Sequence, residues 1–102
     1  MLVTLHSPRE KFWGVLLELT VAGVSVRGID LNSFDDFTAM VRAGDPASPT
    51  TAFFPLARVE RVELDTANGT IPSLSERFAE VTGRLALRFL LPSELAAEET
   101  AG

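Results

Sequence analysis

Between Lys11 and Val21 the chain reads KFWGVLLELTV, with an apolar residue at every odd position from Trp13 onward: Trp13, Val15, Leu17, Leu19 and Val21. The even positions Gly14, Leu16, Glu18 and Thr20 are mixed. A two-residue period over this length belongs to a β-strand with one buried face, because successive strand side chains point to opposite sides. Ala22-Gly23 is a turn signal, and Val24 and Val26 then alternate with Ser25 and Arg27. The spacing predicts a β-hairpin from about Lys11 to Leu31. Its apolar phase moves from even to odd between Val26 and Ile29, across Gly28, which predicts a bulge or a sharp bend at that glycine.

The remaining segments supply other elements. MLVTLH is a short first strand, interrupted by SPRE, where Pro8 lacks a donor and restricts Ser7. From Ser33 to Ala43, Phe34, Phe37 and Val41 lie on one helical face, with Gly44 as the stop. Asn32 or Ser33 is the expected N-cap, and Ser33 with Asp36 would form a capping box. Thr50 to Phe54 is β-prone and ends at Pro55. Leu56, Val59 and Val62 are spaced by three, as in a single tight helical turn, and Val62 and Leu64 by two, as in a strand. TANGT is a turn, and Ser73 with Glu76 marks the capped start of a helix that carries Leu74, Phe78 and Val81 and stops at Gly83. RLALRFLL fits a last strand or a further helical stretch, and periodicity does not choose between them.

The succession of strand, proline, one turn and strand, together with the bent hairpin, resembles the SH3-like and Sm-like small barrels over about residues 11–65. The resemblance implies an α+β fold: a strongly bent, mostly antiparallel sheet of five strands forming a small barrel, with two helices. The helix over Phe34–Val41 is then an insertion where those families more often have a short loop. An open antiparallel sheet with both helices on one face is the other architecture considered. The stretch PREKFWGVL is also similar to small uncharacterised bacterial proteins, a likeness that implies no activity.

At 102 residues the chain is expected to form one domain over residues 1–92, followed by an acidic, disordered segment over 93–102. The 46% apolar share is that of an ordinary globular protein. Cysteine is absent, which removes disulfides, thiolate metal sites and cysteine nucleophiles together. No secretory leader or membrane span is read, so the expected location is the cytoplasm. Net charge is −5, and setting aside Glu94, Glu98 and Glu99 leaves −2, a balance unsuited to tracking phosphates.

RGIDLNSFDDF, residues 27–37, gathers three acids and an asparagine, the residue types of a metal loop or a carboxylate pair. As a calcium loop starting at Asp30 it fails: Phe34, Asp35 and Val41 occupy positions that need an oxygen ligand, a glycine and a glutamate. Asp35 and Asp36 diverge by about 100° on a helix, so they do not converge on one substrate atom. Their expected role is at the helix start, each adding a few tenths of a kcal/mol against the dipole. His6 is a lone imidazole without an orienting partner. No catalytic, cofactor or metal residue is assigned, and a non-enzymatic role is expected.

Two groups remain as candidate contact residues. Phe12–Trp13 and Phe53–Phe54 are adjacent pairs that point to opposite faces of their strands, so one of each pair should enter a barrel core. The other needs cover from a helix, the C-terminal segment or another subunit, which makes Phe12, Trp13, Phe53 and Phe54 a candidate protein-interaction or homo-oligomer surface. Under the Sm-like alternative, Lys11, Arg27, Arg58 and Arg61 would contact RNA or a phosphate, although Glu60 and Glu63 interleave with the arginines. A third reading, small-molecule binding or catalysis, requires a pocket that gathers Asp30, Arg27 and His6.

Overall fold

The computed structural model describes residues 1–91, so the acidic segment expected over 93–102 lies outside the described residues. The chain is α+β. Five strands, β1 (Leu2–Leu5), β2 (Glu10–Leu19), β3 (Gly23–Asp30), β4 (Thr50–Pro55) and β5 (Val59–Glu63), form one sheet in the order β4-β3-β2-β1-β5. All four pairings are antiparallel. Three helices accompany it: α1 (Phe34–Ala43), α2 (Leu74–Thr82) and α3 (Leu87–Leu90). The two expected helices are α1 and α2, and RLALRFLL resolves as the single helical turn α3.

β4 and β5 stand at opposite edges, yet only Leu56–Arg58, a 3₁₀ turn, separates them in the chain. Four residue steps reach about 14 Å at most, whereas four strand spacings in a flat sheet span about 19 Å. The sheet is therefore curled, bringing its two edges toward each other at this end. No ladder joins β4 to β5, so hydrogen bonds do not close the sheet into a barrel.

Curling gives the sheet an inner face, filled by Val3, Leu5, Phe12, Val24 and Val26, with Leu16, Phe54 and Val59 packed against them. The outer face carries a second core. Here Trp13 and Ile29 meet Phe34, Phe37 and Val41 of α1, Phe78 of α2, and Ala86 and Leu90 around α3. Phe78 is its centre, with ring centroids 6.0 Å from Trp13, 6.0 Å from Phe37 and 5.7 Å from Phe89.

Two cores explain the phase change in β3 without a bulge at Gly28. The β2–β3 register runs unbroken from Phe12↔Asp30 to Leu16↔Val26, and the irregularity lies between Leu16 and Glu18. Val24 and Val26 serve the inner core, and Ile29, at the end of the strand that the helices cover, serves the outer one. What Gly28 provides is proximity: it stands opposite Gly14, and the two backbones approach closely enough that a Cβ on Gly14 would fall 2.8 Å from the Gly28 Cα.

The helix ends follow the sequence unevenly. Ser73 accepts from the Glu76 amide at 3.1 Å while the Glu76 carboxylate accepts from the Ser73 amide at 3.3 Å, the expected capping box. Gly44 and Gly83 end α1 and α2 in the left-handed region. At α1 the expected cap does not form: Ser33 makes no side-chain cap bond. Asp30 instead accepts from the Asn32 amide at 2.8 Å and caps a 3₁₀ turn, Leu31–Ser33, that leads into the helix. Continuous helical turning from Leu31 onward leaves Ser33 in a helix-like conformation (φ −97°, ψ 4°), unable to aim its hydroxyl back at α1. Ser73→Ala is accordingly expected to lower stability by about 1 kcal/mol and Ser33→Ala by less than about 0.5 kcal/mol, as read from urea midpoints.

Candidate interaction surface

The four aromatic candidates do not form one surface. Phe12 is 8% exposed and Trp13 is 1% exposed. One of the pair enters the core inside the curled sheet and the other is covered by helices, as the alternation implies: Phe12 points inward and Trp13 packs under α1 and α2 in the outer core. Phe54 also turns inward, edge-on to Phe12 at 5.5 Å between centroids. Only Phe53 is open, at 53% exposure, since it lies on the outer face of an edge strand beyond the helices.

Phe53 does not stand alone. Its ring tip lies 2.8 Å from where a Cβ on Gly23 would be, so the ring leans over the β2–β3 turn. That turn is closed by Thr20 and Gly23, each donating its amide to the other's carbonyl, at 2.9 and 3.3 Å, and its tip residue Val21 is 95% exposed. Leu56 donates its amide to the Ala22 carbonyl at 3.0 Å and is itself exposed. Val21, Phe53 and Leu56 thus form an apolar group at this end of the sheet, while Leu19, across from Val24, is exposed on the face opposite Phe53. Apolar side chains grouped this way mark contact surfaces more often than scattered ones do.

The basic candidates are mostly committed within the chain. Arg58 donates to the carbonyls of His6 (3.4 Å) and Pro8 (3.2 Å) and lies 3.8 Å from Glu10, tying down the β1–β2 turn. Arg61 pairs with Glu63 at 3.0 Å. Arg27 donates to the Thr51 hydroxyl at 3.4 Å. Lys11 and Arg61 flank Thr4 from the neighbouring strands and share its face, while Arg27 sits on β3, away from that row. Nor are Asp30, Arg27 and His6 gathered: Asp30 and Arg27 alternate to opposite faces of β3, and β2 lies between β3 and β1, after which His6 comes.

One polar centre escaped the sequence reading. Asp65, just after β5, accepts from the Leu74 amide at 2.8 Å through Oδ1. Its Oδ2 accepts from the Ser75 amide and hydroxyl at 2.9 Å each, and from Trp13 Nε1 at 3.1 Å. Burial pushes this carboxyl up, but those four donors outweigh it and hold it below the ordinary carboxylate value. With Ser73 serving the Glu76 amide, the first turn of α2 is fully satisfied. A carboxylate so engaged is a poor base, and its chemistry is that of a cap. The signal for it was indirect: a buried tryptophan needs an acceptor, and the first amides of α2 need another. Neither requirement names the residue that answers it.

Beside Asp65 lie two adjoining hollows of about 390 and 370 Å³ that share Met1, Ser75, Ala86 and Leu87. The Met1 ammonium donates to the Gly14 carbonyl at 3.0 Å; burial holds it below its ordinary range, against the pull of Asp65. Among the described residues no helix is long and apolar enough to cross a membrane. Comparisons with protein-family models, with curated proteins and with solved structures found no match.

Proposed function

We propose that this chain is a non-enzymatic protein-interaction module, built as an SH3-like or Sm-like small barrel and acting through the apolar end of its sheet, either on another protein or on further copies of itself. The observation that carries this reading is the solvent-facing group Val21, Phe53 and Leu56 around the Thr20–Gly23 turn. Small-barrel architecture is supported by the strand order β4-β3-β2-β1-β5 and by the three-residue turn that links its edges. A cytoplasmic setting belongs to the same proposal. The RNA-binding alternative draws little support, because Arg27, Arg58 and Arg61 are each bonded within the chain.

Light scattering at high protein concentration, with analysis of co-purifying protein, tests the proposal. Replacing both Val21 and Phe53 by serine is expected to abolish whatever association is seen while leaving the fold intact. A monomeric mass with no bound protein would sink it. Salt-sensitive retention of the wild-type chain on a mixed oligonucleotide column would favour the RNA reading instead.

A further inference from the structure

The two edges of the sheet differ in how they are guarded. β5 carries Glu60, Arg61 and Glu63 in five residues, the charge that keeps exposed edges from pairing. β4 carries none, and no charged residue occurs anywhere from Pro46 to Ala57. Its composition, TTAFFP, is β-prone and uncharged, and it holds the exposed Phe53.

The hydrogen-bond phase of β4 follows from the hairpin. Gly23 directs its amide and carbonyl to Thr20, the residue after β2, so the facing pair Gly23↔Pro55 is not hydrogen-bonded. Alternation then turns the backbone groups of Phe54, Ala52 and Thr50 toward β3, and those of Thr51 and Phe53 outward. Pro49 and Pro55 bound this window and have no amide to give. The open edge thus offers two donors and two acceptors, at Thr51 and Phe53.

From these observations we infer that β4 pairs antiparallel with β4 of a second copy about a twofold axis through Ala52. This deepens the proposed interaction module and rests on it. In this register Thr51 exchanges both backbone bonds with Phe53 of the other copy, and Phe53 with Thr51, so all four donors and all four acceptors of the two edges are used. A twofold contact presents the same patch from both sides, and an uncharged strand meets its own copy without like charges in opposition. Each Phe53 comes to lie across from a Thr51, covering part of an exposed ring of roughly 100 Å². Strand pairing with one aromatic per copy is a small interface, so the dimer is weak and concentration-dependent.

The test uses sedimentation velocity across micromolar to millimolar chain, with circular dichroism as the check on folding. Thr51→Pro removes an outward donor and leaves the β3–β4 ladder intact; two bonds are lost per dimer, and association weakens about tenfold or more. Phe53→Lys gives the same loss by placing a charge on the edge. Because the chain has no cysteine, Ala52→Cys reports the register directly. Facing residues of a non-hydrogen-bonded pair stand about 4.5 Å apart at Cα, within disulfide reach, so oxidation yields a covalent dimer, whereas Glu60→Cys on β5 does not. A dimer that neither weakens with Thr51→Pro nor cross-links through Ala52→Cys overturns the β4 pairing and leaves the interaction module standing. Rings larger than a dimer, weakened by Glu60→Lys, overturn it in favour of β4-to-β5 assembly. A monomer at every concentration overturns the self-pairing, and if nothing co-purifies with it the module reading falls as well.

Discussion

Gly28→Ala is expected to lower stability by about 3 kcal/mol, seen as a shift of the urea midpoint at unchanged slope. Gly28 faces Gly14 across the β2–β3 ladder in a pair whose backbone groups point away from each other: Gly14 donates to and accepts from Met1 on its other side, at 3.0 Å for both bonds. A methyl on Gly28 would meet the Trp13 carbonyl oxygen, with the Gly14 Cα 2.5 Å and the Trp13 carbonyl carbon 2.8 Å away. These neighbours are backbone, so relief requires moving β2, and β2 carries Phe12 into one core and Trp13 into the other. Gly14→Ala meets the Arg27 carbonyl in the same way and should behave alike. If both variants unfold within about 0.5 kcal/mol of wild type, the close approach of these strands is wrong.

Asp65→Ala is expected to lower stability by about 2–3 kcal/mol, since it leaves the Leu74 and Ser75 amides and Trp13 Nε1 without their acceptor. Asp65→Asn keeps an acceptor oxygen but loses the charge, and should fall between. The pH dependence has a definite sign. Asp65 titrates lower in the folded chain than its ordinary value of 3.8, so the unfolded chain binds this proton first as pH falls. Its contribution is complete above the ordinary carboxylate range and is lost as pH drops through the lowered folded value. Stability curves of wild type and Asp65→Asn should therefore converge in acid and separate toward neutral pH. Parallel curves over that range would remove Asp65 from the role given to it here.

The local elements were largely legible. KFWGVLLEL lies in β2 because its period is two, although the turn opens already at Thr20 and Leu17, Leu19 and Val21 are exposed rather than on a buried face. Ser73 and Glu76 form their capping box because both partners lie within one helical turn. The 3₁₀ turn after Pro55 follows from a proline and three-residue spacing. These features depend on residues close in sequence, whose geometry the backbone sets without help from the rest of the fold.

Sequence alone therefore determined the strands, the turns, the main helices and the lack of cysteine chemistry. Tertiary structure decided the rest. Phe12 and Trp13 look alike as an aromatic pair on a strand, and only the curl of the sheet under α1 and α2 gives each a core of its own. Ser33 has the right spacing for a cap and is passed over, because Asp30 begins the helical path three residues earlier. Asp65 reaches Trp13 across 52 positions of sequence, a distance no local pattern spans. The bareness of β4 is written in its uncharged residues, but that it lies at an edge with Phe53 uncovered depends on strand order, which is a property of the whole sheet.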